Sequence, residues 1–290
     1  MPKNGNTAHG PLYYAFLRFL KNRLAVASLM VLSVIIILAL FAPFVTPAHP
    51  YNQDFLQDVY SFPSKAHWFG VDANGRDYFT RIIYGARVSL TVGFAAALAS
   101  LVIGIPIGSL GGYLGGVVDW FVMRLLEIFS VIPPLLLGIL LGTVTGGSLT
   151  MIIFICTVAF WVRVCRLVRG QVKSLSNNEY ITAAKAQGAG TARIIFRHVL
   201  PNTVAQILVG LALIVPRAML LEAGLSFLGV GINPPIPSWG KMINGGLHYI
   251  YYYWHLALFP ALFLAITILS TTLVADGLRD ALDPSLKGKM

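Results

Sequence analysis

The stretch LAVASLMVLSVIIILALFAPFV, Leu24 to Val45, carries no charged side chain. A helix needs about 20 mostly apolar residues to cross a bilayer, so this run spans one unaided. Arg18, Lys21 and Arg23 precede it, like the charged start of a signal peptide. The apolar run is longer than a signal core of about 7–15 residues, and no small-residue cleavage site follows, so it reads as a retained anchor.

Working outward, the whole chain has the same character. Of 290 residues, 57% are hydrophobic and 11% charged, with a mean hydropathy of +0.75. Soluble domains carry roughly 25% charged residues, so this chain lacks the polar surface of one. The net charge of +10 does not point to nucleic acid, because the basic residues lie between long uncharged runs instead of forming one face.

Further spans are expected at about Val88 to Tyr113, Val117 to Leu141, Leu149 to Val168, Asn202 to Leu221 and Trp254 to Ala275. Pro133-Pro134 should kink the third. The fold class is therefore all-α: a polytopic membrane protein with about six transmembrane helices. Basic residues flanking spans mark the cytoplasmic side. From Arg163 to Arg197 lie Arg163, Arg166, Arg169, Lys173, Lys185, Arg193 and Arg197 against the single acid Glu179. That segment is expected inside, which puts both termini inside, consistent with Lys3 near one end and Arg279, Lys287 and Lys289 near the other.

The expected organisation is a cytoplasmic segment 1–23, a first span 24–45 and an external loop 46–87. A five-helix core 88–276 follows, with a cytoplasmic loop 170–201 and an external loop 222–253, then a cytoplasmic tail 277–290. Loop 46–87 holds Lys65, Arg76, Arg81 and Arg87, balanced by Asp54, Asp58, Asp72 and Asp77.

The cytoplasmic loop carries the functional signal. Glu179-Tyr180-Ile181-Thr182-Ala183-Ala184-Lys185-Ala186-Gln187-Gly188-Ala189-Gly190 begins Ala-rich behind Asn177 or Asn178, either able to act as an N-cap, and so predicts a short helix. Gly188 and Gly190 should end it. An amphipathic piece then sets Ile194, Ile195 and Val199 among Arg193, Arg197 and His198, before Leu200-Pro201 leads into the next span. Small side chains on a short helix let a backbone dock closely against another protein. A plain basic loop explains the charge but not the small-residue helix ending at a glycine turn.

This segment resembles the cytoplasmic signature loop of bacterial ABC-importer permeases: two alanines, three residues, a glycine, then Leu-Pro at fixed distance. Ala183, Ala184, Gly188, Leu200 and Pro201 match. Thr182 stands where an acid is usual, as is familiar in the peptide-importer branch, and His198 where isoleucine is usual. Phe69 to Asp77, with Arg81 and Tyr84 to Arg87, is similar to the dipeptide and oligopeptide permeases, members of the peptide/nickel branch with a long first external loop. So are Leu225 to Gly229, Pro234-Pro235 with Pro237 to Gly240, and Asp276 to Pro284.

The resemblance implies a second, homologous permease subunit forming a heterodimer, two ATPase subunits and an external substrate-binding protein, in a bacterial or archaeal cytoplasmic membrane. It assigns Glu179, Tyr180, Thr182, Ala183, Ala184, Gly188, Ala189, Arg193, Arg197, Leu200 and Pro201 to ATPase docking. It implies no cofactor on this chain, with ATP and Mg held by partner subunits. The phosphate loop Gly-x-x-x-x-Gly-Lys-[Ser/Thr] does not occur; at Gly240-Lys241 the earlier glycine position is Pro235 and Met242 follows. The expected cargo is peptide; relatives in this branch move nickel chelates, glutathione or oligosaccharides, and the alternative class is an ion-coupled secondary transporter, which should show paired inverted repeats and acids near mid-bilayer.

Charges within spans are functional candidates. Arg124 and Glu127 can pair along one helix face. Arg217 and Glu222 could line the translocation path or meet the second permease. Tyr249, Tyr251, Tyr252, Tyr253 and Trp254 suit an interfacial aromatic belt. Cys156 and Cys165, about 13 Å apart on one helix, cannot pair and read as packing residues. His49, His67, His248 and His255 show no metal spacing.

Overall fold

The computed structural model describes residues 11–282. Lys3, Lys287 and Lys289 of the charge argument, and Asp283 and Pro284 of the C-terminal motif, lie outside the described residues. Among those described, regular structure is helical apart from a single antiparallel bridge between Val71 and Asp77. Besides single helical turns at Ala42–Val45 and Leu56–Asp58, the helices are α1 (Pro11–Lys21), α2 (Arg23–Leu40), α3 (Tyr78–Leu114), α4 (Gly116–Val131), α5 (Pro134–Thr145), α6 (Leu149–Leu175), α7 (Glu179–Ala186), α8 (Thr191–Phe227), α9 (Trp239–Leu247) and α10 (His255–Leu282).

Side-chain caps decide several boundaries that hydropathy placed elsewhere. Asn22 divides α1 from α2, its Oδ1 accepting from the Ala25 N–H at 3.1 Å. α1 itself, packed against α10, is not anticipated by the hydropathy reading. Asp77 caps α3, accepting from the Thr80 N–H at 2.8 Å and the Thr80 hydroxyl at 2.7 Å. The second span therefore starts ten residues before Val88, and Arg81 and Arg87 ride on its first turns instead of in a loop. Ser148 caps α6, which runs seven residues past Val168 and keeps Arg169 and Lys173 helical.

The third span is two half-helices. α4 and α5 meet at 70° across Ile132-Pro133, so that among the described residues five helices are long and apolar enough to cross a membrane, or six with this bent pair counted as one span. α8 extends the fifth span at both ends and contains a wide π turn at Ile195–Val199. Pro201 follows that turn and has no N–H to offer the Arg197 carbonyl; the Leu200 N–H reaches instead to Ile195.

α3 and α6 form the central pair of the bundle. Gly104, Gly108 and Gly112 recur every fourth residue, placing them on one face of α3. A Cβ on Gly108 would lie 2.6 Å from the Cys165 carbonyl oxygen and 3.0 Å from Val168, and one on Gly112 2.6 Å from the Arg169 carbonyl oxygen. Only hydrogen fits there. Lipid tails are as apolar as leucine, so helix association in a membrane relies on such close packing. Cys156 and Cys165 are both buried and unpaired, and Cys165 is part of this contact.

At the far end of α3, Trp239 of α9 is completely buried and its indole N–H donates to the Ile82 carbonyl at 3.0 Å. Gly85 leaves space for its ring, with the missing Cβ 3.0 Å from it. Large apolar side chains such as Phe44, Val117, Val131 and Val144 stay exposed, as expected of surfaces facing lipid or other subunits.

The glycine face gives a direct test. Gly108→Leu should lower the thermal midpoint of the detergent-purified protein by about 3–10 °C through overpacking. Gly170→Ala, at a helical glycine with open space around it, should leave the midpoint unchanged or raise it. Equal melting of Gly108→Leu and wild type would remove the close-packing argument.

Candidate coupling surface

α7 is built as its composition anticipates. Asn178 occupies the N-cap position with extended backbone, although its side chain makes no capping hydrogen bond; Glu179 supplies negative charge to the first turn. The helix ends in a left-handed glycine, Gly188, at φ +77°. There the Gly188 N–H donates to the Lys185 carbonyl at 2.9 Å and the Ala189 N–H to the Ala184 carbonyl at 3.1 Å. That termination favours glycine because a Cβ is strained at positive φ.

The segment has two faces. Ile181 and Ala184 are buried, as are Ile194, Ile195 and Val199 of α8, and Ile181, Ile194 and Val199 join the main core cluster with Val168 and Val172 of α6. Lys185 places its ammonium 5.1 Å from the centre of the Tyr113 ring at the end of α3. α7 is thereby held against the central helix pair. The opposite face presents Glu179, Tyr180, Thr182 and Ala183, continued by Gly188, Arg193, Arg197 and Pro201, all exposed; Ala189 and Leu200 are half-buried. Of the expected docking residues, Ala184 turns inward and packs within the chain.

Phe196, 70% exposed between Arg193 and Arg197, belongs to this surface and was not singled out. The signal was available: in Ile194-Ile195-Phe196, three consecutive positions fan around a helix too widely to share one buried face. Behind the surface, Asp119 at the start of α4 pairs with Arg169 of α6, Nη2 to Oδ2 at 2.7 Å, and with Lys173 at 3.5 Å.

Other candidates separate. Arg124 and Glu127 do pair, at 2.6 Å, but both are exposed, where such a pair contributes about 0–1 kcal/mol. Arg217 is exposed and lines a cavity of about 160 Å³ that Arg163 also borders. Glu222 points the other way: fully buried, it accepts from Ser89 of α3 at 3.0 Å and from Ser226 at 2.8 Å. The aromatic run divides too. Tyr251 and Tyr252 are exposed, whereas Tyr253 stacks on Tyr60 with ring centres 4.6 Å apart. Among the histidines, His67 lies 3.4 Å from Asp77 and His255 is buried.

The described residues thus form a membrane helix bundle with one broken span and a short helix ended by a glycine turn. Residues 104–288 match the family described as binding-protein-dependent transport system inner membrane component, and residues 10–63 match the N-terminal TM domain of oligopeptide transport permease C. The oligopeptide transport system permease protein OppC of Bacillus subtilis is 44% identical over 94% of this chain and 89% of its own length. The dipeptide permease DppC of the same organism is 45% identical over 94% and 85%. GsiD, the glutathione transport system permease protein of Pectobacterium atrosepticum, is 37% identical over 93% and 90%. A chain of the MetNI methionine ABC transporter, solved in inward-facing conformations, shares the fold with a TM-score of 0.56 at 20% identity, covering 70% of this chain and 96% of that one. This chain belongs to the family of binding-protein-dependent inner membrane permeases, within its oligopeptide and dipeptide branch, and is a multi-pass inner membrane protein.

The Lys185–Tyr113 contact is worth about 0.5–1 kcal/mol at an exposed site. Tyr113→Ala should therefore raise tryptic cleavage after Lys185 about two- to fivefold, read by mass spectrometry of briefly digested protein. Unchanged cleavage would show that the Lys185–Tyr113 contact does not hold α7 in place.

Proposed function

We propose that this chain forms half of the translocation path of an ATP-driven peptide importer and receives force through α7. The observation that carries the reading is the two-faced build of α7: one face anchored on the α3–α6 pair, the other small-residued, exposed and flanked by Arg193 and Arg197. A partner ATPase closing on nucleotide would move such an anchored helix as a rigid body with its bundle. Segment 163–197 then faces the cytoplasm with both termini, and loops 46–77 and 228–254 face outward.

In this reading ATP and Mg sit on two ATPase subunits, this chain performs no catalysis, and a second homologous permease completes the path. An external binding protein delivers peptide. The names of the oligopeptide and dipeptide relatives support that cargo, and the glutathione relative keeps a small peptide within it. Arg217 supports the path itself. It is exposed on the apolar part of α8, and a guanidinium at bilayer depth is costly against lipid. It faces water or the second permease, and Arg163 borders the cavity it lines. Glu222, turned inward, serves the bundle.

Ala183→Trp places a large ring on the docking face without disturbing the glycine turn. ATPase subunits co-purified with this chain should fall about tenfold or more while membrane insertion is unchanged, and ATP-driven uptake should fall with them. Full recovery of the ATPase with Ala183→Trp would remove α7 from the docking role.

A further inference from the structure

Near the end of the bundle opposite α7, the polypeptide before α3 and the segment around α9 enclose a cavity of about 360 Å³. Its charged walls are Asp72, Arg76, Arg81 and Lys241. Asp72 is fully committed. Its Oδ1 accepts from the Asn74 and Arg76 N–H groups at 2.8 and 3.0 Å, and its Oδ2 lies 3.3 Å from Arg81 Nε and 3.6 Å from Arg76 Nε. One carboxylate thus faces three cations, leaving a local surplus of about two positive charges.

Arg81 is also engaged by backbone, its Nη1 donating to the Pro50 carbonyl at 3.0 Å. Lys241 donates to the Ile232 carbonyl at 3.3 Å. Arg76 differs. It is nine-tenths buried, lines the cavity, and its Nε finds no hydrogen-bond acceptor. A buried N–H without a hydrogen-bond acceptor is costly, and the one carboxylate near this Nε, Asp72 at 3.6 Å, is already shared. Burial and the neighbouring Arg81 also hold the Lys241 ammonium below its ordinary value, consistent with a positive site short of one anion.

We propose that this cavity receives an aspartate or glutamate side chain of the protein that docks on the outer face, bridging Arg76 and Lys241. The inference rests on the importer reading given above. Charge complementarity selects the occupant: a guanidinium takes a carboxylate in bidentate fashion, and the cavity holds a side chain with room left over. The setting agrees, since the exposed Tyr251 and Tyr252 stand three and four residues beyond His248, a cavity-lining residue; tyrosine and arginine are the residue types enriched at protein interfaces. The bridge would join the segment before α3 to α9, whose Trp239 is already fastened to α3 through Ile82. Docking would in this way stiffen the outer end of the helix that α7 grips at its inner end.

The test uses the assembled transporter, both permeases with their ATPases, in phosphatidylcholine nanodiscs, titrated with its peptide-loaded binding protein. Arg76→Gln and Lys241→Gln should each weaken association about tenfold, and the double variant should flatten the loss of affinity that wild type shows between 50 and 300 mM NaCl. Wild-type affinity in both variants would overturn the proposal. So would a loss confined to Arg76→Gln and matched by a lower melting temperature, since Lys241 lies on a different element. Weakening seen only in nanodiscs containing phosphatidylglycerol would reassign the cavity to a lipid phosphate. Normal association with lost uptake of free-acid peptides, but not of their amides, would reassign it to the cargo. If the wild-type assembly captures no binding protein, the importer reading falls, and the cavity proposal with it.

Discussion

Helices α3 and α6 touch along Gly104, Gly108 and Gly112 more closely than any side chain permits, and the rest of the bundle is hung on that contact. Water contributes little to helix association inside a bilayer, so specificity falls to steric fit and to a few polar contacts. The approach brings the C-terminal ends of both helices together, which places Tyr113 under Lys185 and Arg169 beside Asp119. The first of those contacts fixes the footing of α7, and the second ties α4 to α6. At the other end the same α3 carries Gly85 and Ile82, which receive Trp239. One helix thus connects the candidate coupling surface to the cavity at the opposite end of the bundle.

Much of this architecture is legible in the sequence because a bilayer permits few solutions. With no water to satisfy backbone groups, an uncharged run of about 20 residues has to be helical, and the run from Leu24 shows it directly. Boundaries were less legible, because hydropathy counts charges while helices end where caps sit. Arg81 made the start of α3 look like loop, although Asp77 and Thr80 form a cap just ahead of it. In the same way Arg169 and Lys173 masked the last turns of α6, where both pair with Asp119 from another helix.

The candidate site was legible to the level of a segment but not of a face. Ala-rich composition, Gly188 and Leu200-Pro201 located α7 and its continuation. Which alanine turns inward depends on where α3 and α6 stand, and that is a tertiary matter: Ala184 is buried and Ala183 exposed. Glu222 and Arg217 show the same limit. Five residues apart on α8, they point to opposite environments, and the serine that receives one Glu222 oxygen comes from α3, 133 positions away in sequence.

Helix α8 runs from Thr191 at the coupling surface to Phe227 without an intervening loop, a length of about 55 Å at 1.5 Å per residue. Turned as one rod with the bundle, a helix of that length acts as a lever. A rocking of about 10° around its midpoint would carry each tip through about 5 Å, close to one helical turn. The mechanical advantage is near unity, so a displacement of that size at Arg193 would return at Phe227 with equal amplitude and reversed direction.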